Sequence, residues 1–357
     1  METKERIYWI DTLKFFGILA IYLFHLGEAG GRSYTFGSIY RVPLFFFIAG
    51  SLESLSKDNS PLPQYIFKRF KALMVPYFFF ALFYLLLWAI FNNTGLGVLL
   101  PMLKQDFMAV RNHISAASLW FLPCLFVMEV MFRVLKMLLR DKWLILAAST
   151  VLFLVANNFL GFLPIQDPRW FWNMDSALHY IVYFALGYAV FSYLVNFLKQ
   201  DTRGKQVLFW VLAAFAFGIT ALLYTGKDFI TPLFARLGIL SPVNMLAKAI
   251  PVIWLNVVLA WLLQGWALLR RIGSGTLWLC GYEQAYKLVI SQLGGLAGIA
   301  GLGTQFANPL AALLYALVIL LVSPYTVIPF GKSLYYNLLP FMTPRPKPVS
   351  DESPIPS

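Results

Sequence analysis

Stretches of about 18 or more predominantly apolar residues recur along nearly the whole chain, and a stretch of that length crosses the hydrocarbon core of a bilayer as one helix. Composition agrees. Apolar residues make up 60% of the chain and charged residues only 12%, against roughly 45–50% and 25% in soluble domains. Intrinsic disorder needs the opposite balance. A β-barrel needs short segments that alternate apolar and polar, which these runs do not do. The sequence therefore predicts an all-α, polytopic transmembrane helical bundle. A ruler of about 20 residues per span gives about ten transmembrane helices: 7–27, 38–56, 73–92, 118–138, 143–163, 175–196, 207–225, 246–269, 276–298 and 307–328.

The net charge of +12 would suggest nucleic acid in a soluble protein. Here the basic residues sit between apolar runs, so membrane topology is the better reading, and no nucleic-acid partner is expected. With the N-terminus in the cytoplasm, 18 of the 28 Lys and Arg residues fall on the inner side, 7 on the outer side and 3 near membrane depth. Both termini are thus expected inside. The charged start at Met1 leads into an apolar stretch without a small-residue cleavage site, which reads as a retained helix. Residues 1–331 form the expected membrane domain. Residues 332–357 form an expected cytoplasmic tail, Pro-rich and disordered. Cys124 and Cys280 each lie inside an apolar run and read as buried small side chains.

Ionisable residues inside a membrane are costly and face a bundle interior or a cavity. The first helix holds Asp11, Lys14 and His25, with Glu28 just beyond. Lys14 and His25 share a helix face about 16 Å apart along the axis. This stripe either points into a polar channel, or Asp11 pairs with Lys14 while His25 and Glu28 sit at headgroup level. His179 follows Asp175 by one helical turn, so the two can touch. Lys68, Arg69 and Lys71 bring three cations within four residues, either to neutralise phosphates or to anchor the inner face. Glu283 and Lys287, like Glu129 and Arg133, have i, i+4 spacing and can pair with each other. Trp120, Arg169, Trp170, Trp172, Asp175 and His179 gather toward the outer mouth, where aromatic faces suit a sugar ring or form an interfacial belt. Three histidines in three segments make no metal signature, and no metal is expected.

Several of these segments together resemble the acyltransferase 3 family of membrane O-acyltransferases, and within it the fucose 4-O-acetylase-like branch. The resemblance rests on Arg6-Ile-Tyr-Trp-Ile-Asp11-Thr-Leu-Lys14 followed by Ile21-Tyr-Leu-Phe-His25, and on Pro43-Leu-Phe-Phe-Phe-Ile-Ala-Gly50. It continues through Lys68-x-x-Lys71 with Leu73-Met-Val-Pro76-Tyr77, and through Ser118-Leu-Trp120-Phe-Leu-Pro123. It covers roughly residues 6–330. The family implies a ten-helix bundle that moves an acyl group, usually acetyl, from cytoplasmic acetyl-CoA to a hydroxyl of an envelope or exopolysaccharide sugar. It implies a bacterial inner membrane and possible glycan-assembly partners. The family's basic-residue-to-histidine pair falls on Lys14 and His25, and its double-basic motif on Lys68 and Lys71.

Three departures stand out. Lys replaces the more frequent Arg at 14, 68 and 71, which keeps charge but loses the bidentate fork. The stretch Thr276-Leu-Trp-Leu-Cys-Gly-Tyr-Glu283 ends in Glu where the family often has His. The hydrolase-like domain that some members carry is not seen in this sequence, so the membrane domain is expected to act alone or with a separate protein.

The resulting expectation is a donor site at Lys68, Arg69 and Lys71, catalysis by His25 with Lys14 and Asp11, and acceptor contacts at Trp120, Arg169, Asp175, His179 and Glu283. A glycan or lipid-precursor transporter without acyl chemistry is the competing reading. The chain shows no repeat of its halves, a feature many transporters have.

Overall fold

The computed structural model describes residues 7–297 and 308–340. Helices follow one another throughout, and no strand occurs among the described residues. They are α1 (Tyr8–His25), α2 (Arg32–Ser54), α3 (Leu62–Arg69), α4 (Val75–Asn92), α5 (Leu96–Met108), α6 (Phe121–Leu138), α7 (Lys142–Asn158) and α8 (Met174–Leu198). The series continues with α9 (Arg203–Tyr224), α10 (Ile230–Arg236), α11 (Ser241–Leu262), α12 (Ala267–Ser274), α13 (Thr276–Leu296), α14 (Pro309–Val322) and α15 (Val327–Leu338).

Among the described residues, six helices are long and apolar enough to cross a membrane, or seven if α14 and α15, bent by 50°, count as one span. Ten were expected from the sequence. The other three, α1, α7 and α13, are present as helices but do not meet that standard. α7 has 17 residues and is too short. α1 and α13 carry Asp11, Lys14, His25, Glu283 and Lys287, which lower their hydropathy. α15 runs to Leu338 and buries Tyr335, so the boundary drawn at 331 falls inside a helix. The Pro-rich stretch from Phe341 and the glycines at 298 and 301 lie outside the described residues.

α2 and α8 form the tightest pair, and glycine makes that possible. A methyl group at Gly50 would lie 1.8 Å from the Phe184 carbonyl oxygen, and one at Gly187 would lie 2.1 Å from that of Phe47. Small residues let helix backbones approach closely where no hydrophobic effect drives association. Around this pair pack α1, α6, α7 and α11.

The path from α3 to α4 is continuous, but residues Phe70–Met74 widen into a π-turn. Pro76 follows at once. Its ring would clash with the carbonyl four residues back, and it donates no hydrogen bond. The wider turn accommodates both. α5 then doubles back beside α4, where the Tyr77 hydroxyl donates to the Asp106 carbonyl.

Residues 109–120 continue into the bundle as irregular backbone, with Ala109, Ala116 and Leu119 buried. Irregular backbone at membrane depth is tolerated only when enclosed by protein or lining a cavity. Asn173 supplies the enclosure. Its Nδ2 donates to the carbonyls of Ala109 (2.6 Å) and Trp120 (3.2 Å), and its Oδ1 accepts from the Arg111 N–H (2.6 Å). Asp106 accepts from the N–H and hydroxyl of Ser115 at 2.8 and 2.6 Å. Ser118 and Cys280 exchange hydrogen bonds with each other's carbonyls.

Candidate functional site

The first helix has its polar residues at two levels. Near its start the Lys14 ammonium lies 3.2 Å from Asp11 Oδ1. At its end His25 meets α13. The imidazole Nδ1 lies 2.6 and 2.8 Å from the two carboxylate oxygens of Glu283, whose residue is 1% exposed. Lys287 donates to the His25 carbonyl at 2.8 Å, and its ammonium is 3.9 Å from Glu283. The register between the helices is set one turn earlier, where the Tyr22 hydroxyl donates to the Leu279 carbonyl at 3.1 Å.

This arrangement fixes the chemistry of the ring. With the Glu283 carboxylate as acceptor, Nδ1 is the donor of this contact and Nε2 is left with its lone pair. A buried carboxylate that orients an imidazole in this way is the arrangement of a general base. Glu283, expected among acceptor contacts, thus faces His25 more closely than Lys287. A narrow crevice beside the pair is lined by Tyr22, Glu283, Tyr286, Lys287 and Tyr315. The Tyr286 hydroxyl opens on no hydrogen-bond partner among the described residues.

The second cluster lies where α2, α3 and α6 meet. Arg69 reaches both Glu53 and Glu129, each at 3.3 Å, and Lys136 reaches Glu53 at 2.8 Å. Arg133 donates to the carbonyls of Asp58 and Ser60, so the expected Glu129–Arg133 pair gives way to Glu129–Arg69. Lys68 pairs with Asp58 at 3.2 Å and keeps half of its side chain exposed. Lys71 lies over the Phe67 ring in the π-turn. Hydrogen bonds from Ser60, with help from the Lys68 ammonium, hold the Asp58 carboxyl well below its ordinary value near 3.8.

The residues expected at the outer mouth are engaged with the protein itself. Trp120 is buried, with its ring stacked on Tyr180 and under the Arg111 guanidinium. Asp175 is buried and accepts from the N–H groups of Arg169, Trp170 and Ser176. His179 turns to Asn157, with Nδ1 2.7 Å from its amide oxygen, and not to Asp175. The Arg169 side chain is exposed and pairs with Asp167. Sequence reasoning missed Arg41, Arg111 and Asn173. Arg41 and Arg111 had been counted only as outer-side charges, although arginine on the side that the charge bias disfavours is itself a signal. Among the described residues no three His, Cys, Asp or Glu side chains converge as a metal site.

A family whose profile is described as an acyltransferase domain, the acyltransferase 3 family, matches residues 7–328. The match is to the family and selects no branch within it. No curated protein and no solved structure matches the chain.

Proposed function

The chain belongs to the acyltransferase 3 family and is a multi-pass membrane acyltransferase, and we propose that it transfers acetyl from acetyl-CoA to a sugar hydroxyl of an envelope glycan. The observation that carries this reading is the His25–Glu283 pair. His25 Nε2 takes the proton of the acceptor hydroxyl as its oxygen attacks the thioester carbonyl. The C–S bond then breaks, and the proton passes to the leaving thiolate, giving the O-acetyl ester and free CoA. General-base assistance of this kind contributes roughly 10²–10⁴-fold.

The donor enters from the basic end. Lys68 and Lys71 meet its phosphates, while Arg69, held by Glu53 and Glu129, positions the segment that carries them. Lys14 and Asp11 lie along α1 between that end and His25. Trp120, packed against Tyr180 and under the Arg111 guanidinium, shapes the acceptor end rather than stacking on the sugar. The membrane is the bacterial inner membrane with both termini cytoplasmic, in keeping with the basic residues concentrated on one side. Purified protein with radiolabelled acetyl-CoA tests the reading. Wild type consumes the thioester, His25→Ala does not, and Lys68→Ala with Lys71→Ala weakens donor binding. A wild type that binds no CoA would refute the reading in favour of transport.

A further inference from the structure

Two arginines stand apart from every ion pair described above. Arg41, in the middle of α2, and Arg111, in the irregular segment, are each 8% exposed. Neither forms a salt bridge among the described residues. The Arg41 guanidinium lies 3.2 Å over the Phe24 ring, and that of Arg111 lies 4.0 Å over the Trp120 ring. The two cations are close enough to repel each other, and the Tyr180 hydroxyl accepts from Arg111 at 3.4 Å.

The arrangement calls for a negative charge that the described side chains do not supply. Burying one guanidinium at membrane depth is expensive, and a second beside it adds repulsion. Aromatic faces offset part of this but neutralise nothing. The buried carboxylates and the partly buried Glu129 have partners elsewhere: Asp11 has Lys14, Asp175 three backbone N–H groups, Asp106 Ser115, Glu283 His25, and Glu53 and Glu129 Arg69.

We propose that Arg41 and Arg111 bind an anionic group of the acceptor, a carboxylate or a phosphate, next to His25. The site rests on the acyltransferase reading for the word acceptor, but its charge logic is independent of it. Its place argues for the acceptor. Arg41 lies over the Phe24 ring, and the ring of the next residue, His25, is 5.8 Å from that of Phe24. Along α2, 12 residues separate Arg41 from Glu53, which holds the basic donor end. At 1.5 Å per residue that is about 18 Å. The guanidiniums therefore belong to the reacting end, and the donor phosphates to the other.

Calorimetry on the purified full chain in detergent tests this with glucuronate, glucose 1-phosphate, glucose and coenzyme A as probes. The expected result is saturable binding of at least one anionic probe, with at least tenfold weaker binding of glucose. The preferred anion distinguishes carboxylate from phosphate recognition. Arg41→Gln and Arg111→Gln should each weaken that binding at least tenfold and leave CoA affinity within twofold. Arg41→Lys, which keeps the charge, should retain the preference for anions and guards against misfolding as the cause. Equal binding of glucose, no saturable response to either anion, or a loss of CoA affinity in the Gln variants would overturn the proposal. Anion binding in a protein that consumes no thioester would support this site and refute the acyl-transfer reading.

Discussion

Replacing Glu283 by Gln keeps its volume and removes its charge. The carboxylate now accepts from Nδ1 at 2.6–2.8 Å in a place that is 1% exposed. A glutamine amide can turn its NH₂ toward Nδ1. That nitrogen then becomes the acceptor, the proton moves to Nε2, and the base is disabled. The imidazolium formed during transfer also loses its counter-charge. The expected loss is 10²–10⁴-fold in kcat, roughly 3–5 kcal/mol at about 1.4 kcal/mol per decade. Donor affinity should stay within twofold, because Glu283 touches none of Lys68, Arg69 or Lys71. The assay is single-turnover release of thiol from acetyl-CoA with saturating acceptor, alongside equilibrium CoA binding. A Gln variant within threefold of wild type would refute the assignment of Glu283 as the group that orients His25. Glu283→Ala is a poorer test, since leaving Lys287 and His25 unpaired costs roughly 3–5 kcal/mol of stability by itself.

Asn173→Gly removes three hydrogen bonds while keeping a residue that tolerates the φ of 58° found there. Stranding three buried backbone groups should cost roughly 3 kcal/mol or more, read as a lower unfolding midpoint. A shift under about 0.5 kcal/mol would show that the irregular segment does not depend on Asn173. Asp58 supplies the pH test. Its folded-state carboxyl is held below the ordinary value of 3.8, so its contribution is present above that value and fades as pH falls below it. The wild type should therefore exceed Asp58→Asn in thermal midpoint at pH 6, and the gap should narrow progressively once pH falls below 3.8 and close only well below that value. A gap that does not change with pH would count against the hydrogen bonds from Ser60 and the Lys68 contact as what holds the carboxylate.

Helices were legible because apolar periodicity and length are local signals, and the helix spans read from hydropathy each correspond to a helix in the fold. The count of about ten is not confirmed by length and composition alone, because α7 is short and α1 and α13 carry the polar residues that make them interesting. Local spacing did worse with partners. Glu283 and Lys287, Asp175 and His179, and Glu129 and Arg133 all stand one turn apart, yet each acid takes its shortest contact elsewhere. His25 lies 258 residues from Glu283, and helical spacing carries no information at that distance. α5, with 13 residues, is too short for a ruler of about 20 residues per span to find, although that length suits a segment that enters and turns back. Its Pro101 and the polar run after it gave no sign that Asn173 would be its clasp.

That irregular segment also bears on how the protein is made. Ser118 and Cys280 are 162 residues apart, so a ribosome has added α6 to α12 before the carbonyls they share find their partners. A longer interval, 258 residues, leaves His25 waiting for Glu283. Insertion of the early helices therefore produces an intermediate with open polar backbone and unmatched side chains in the bilayer, and arrival of α13 closes both at once. A chain truncated before α13 should persist only briefly, as a substrate for membrane quality-control proteases, whereas one truncated after Leu338 should accumulate.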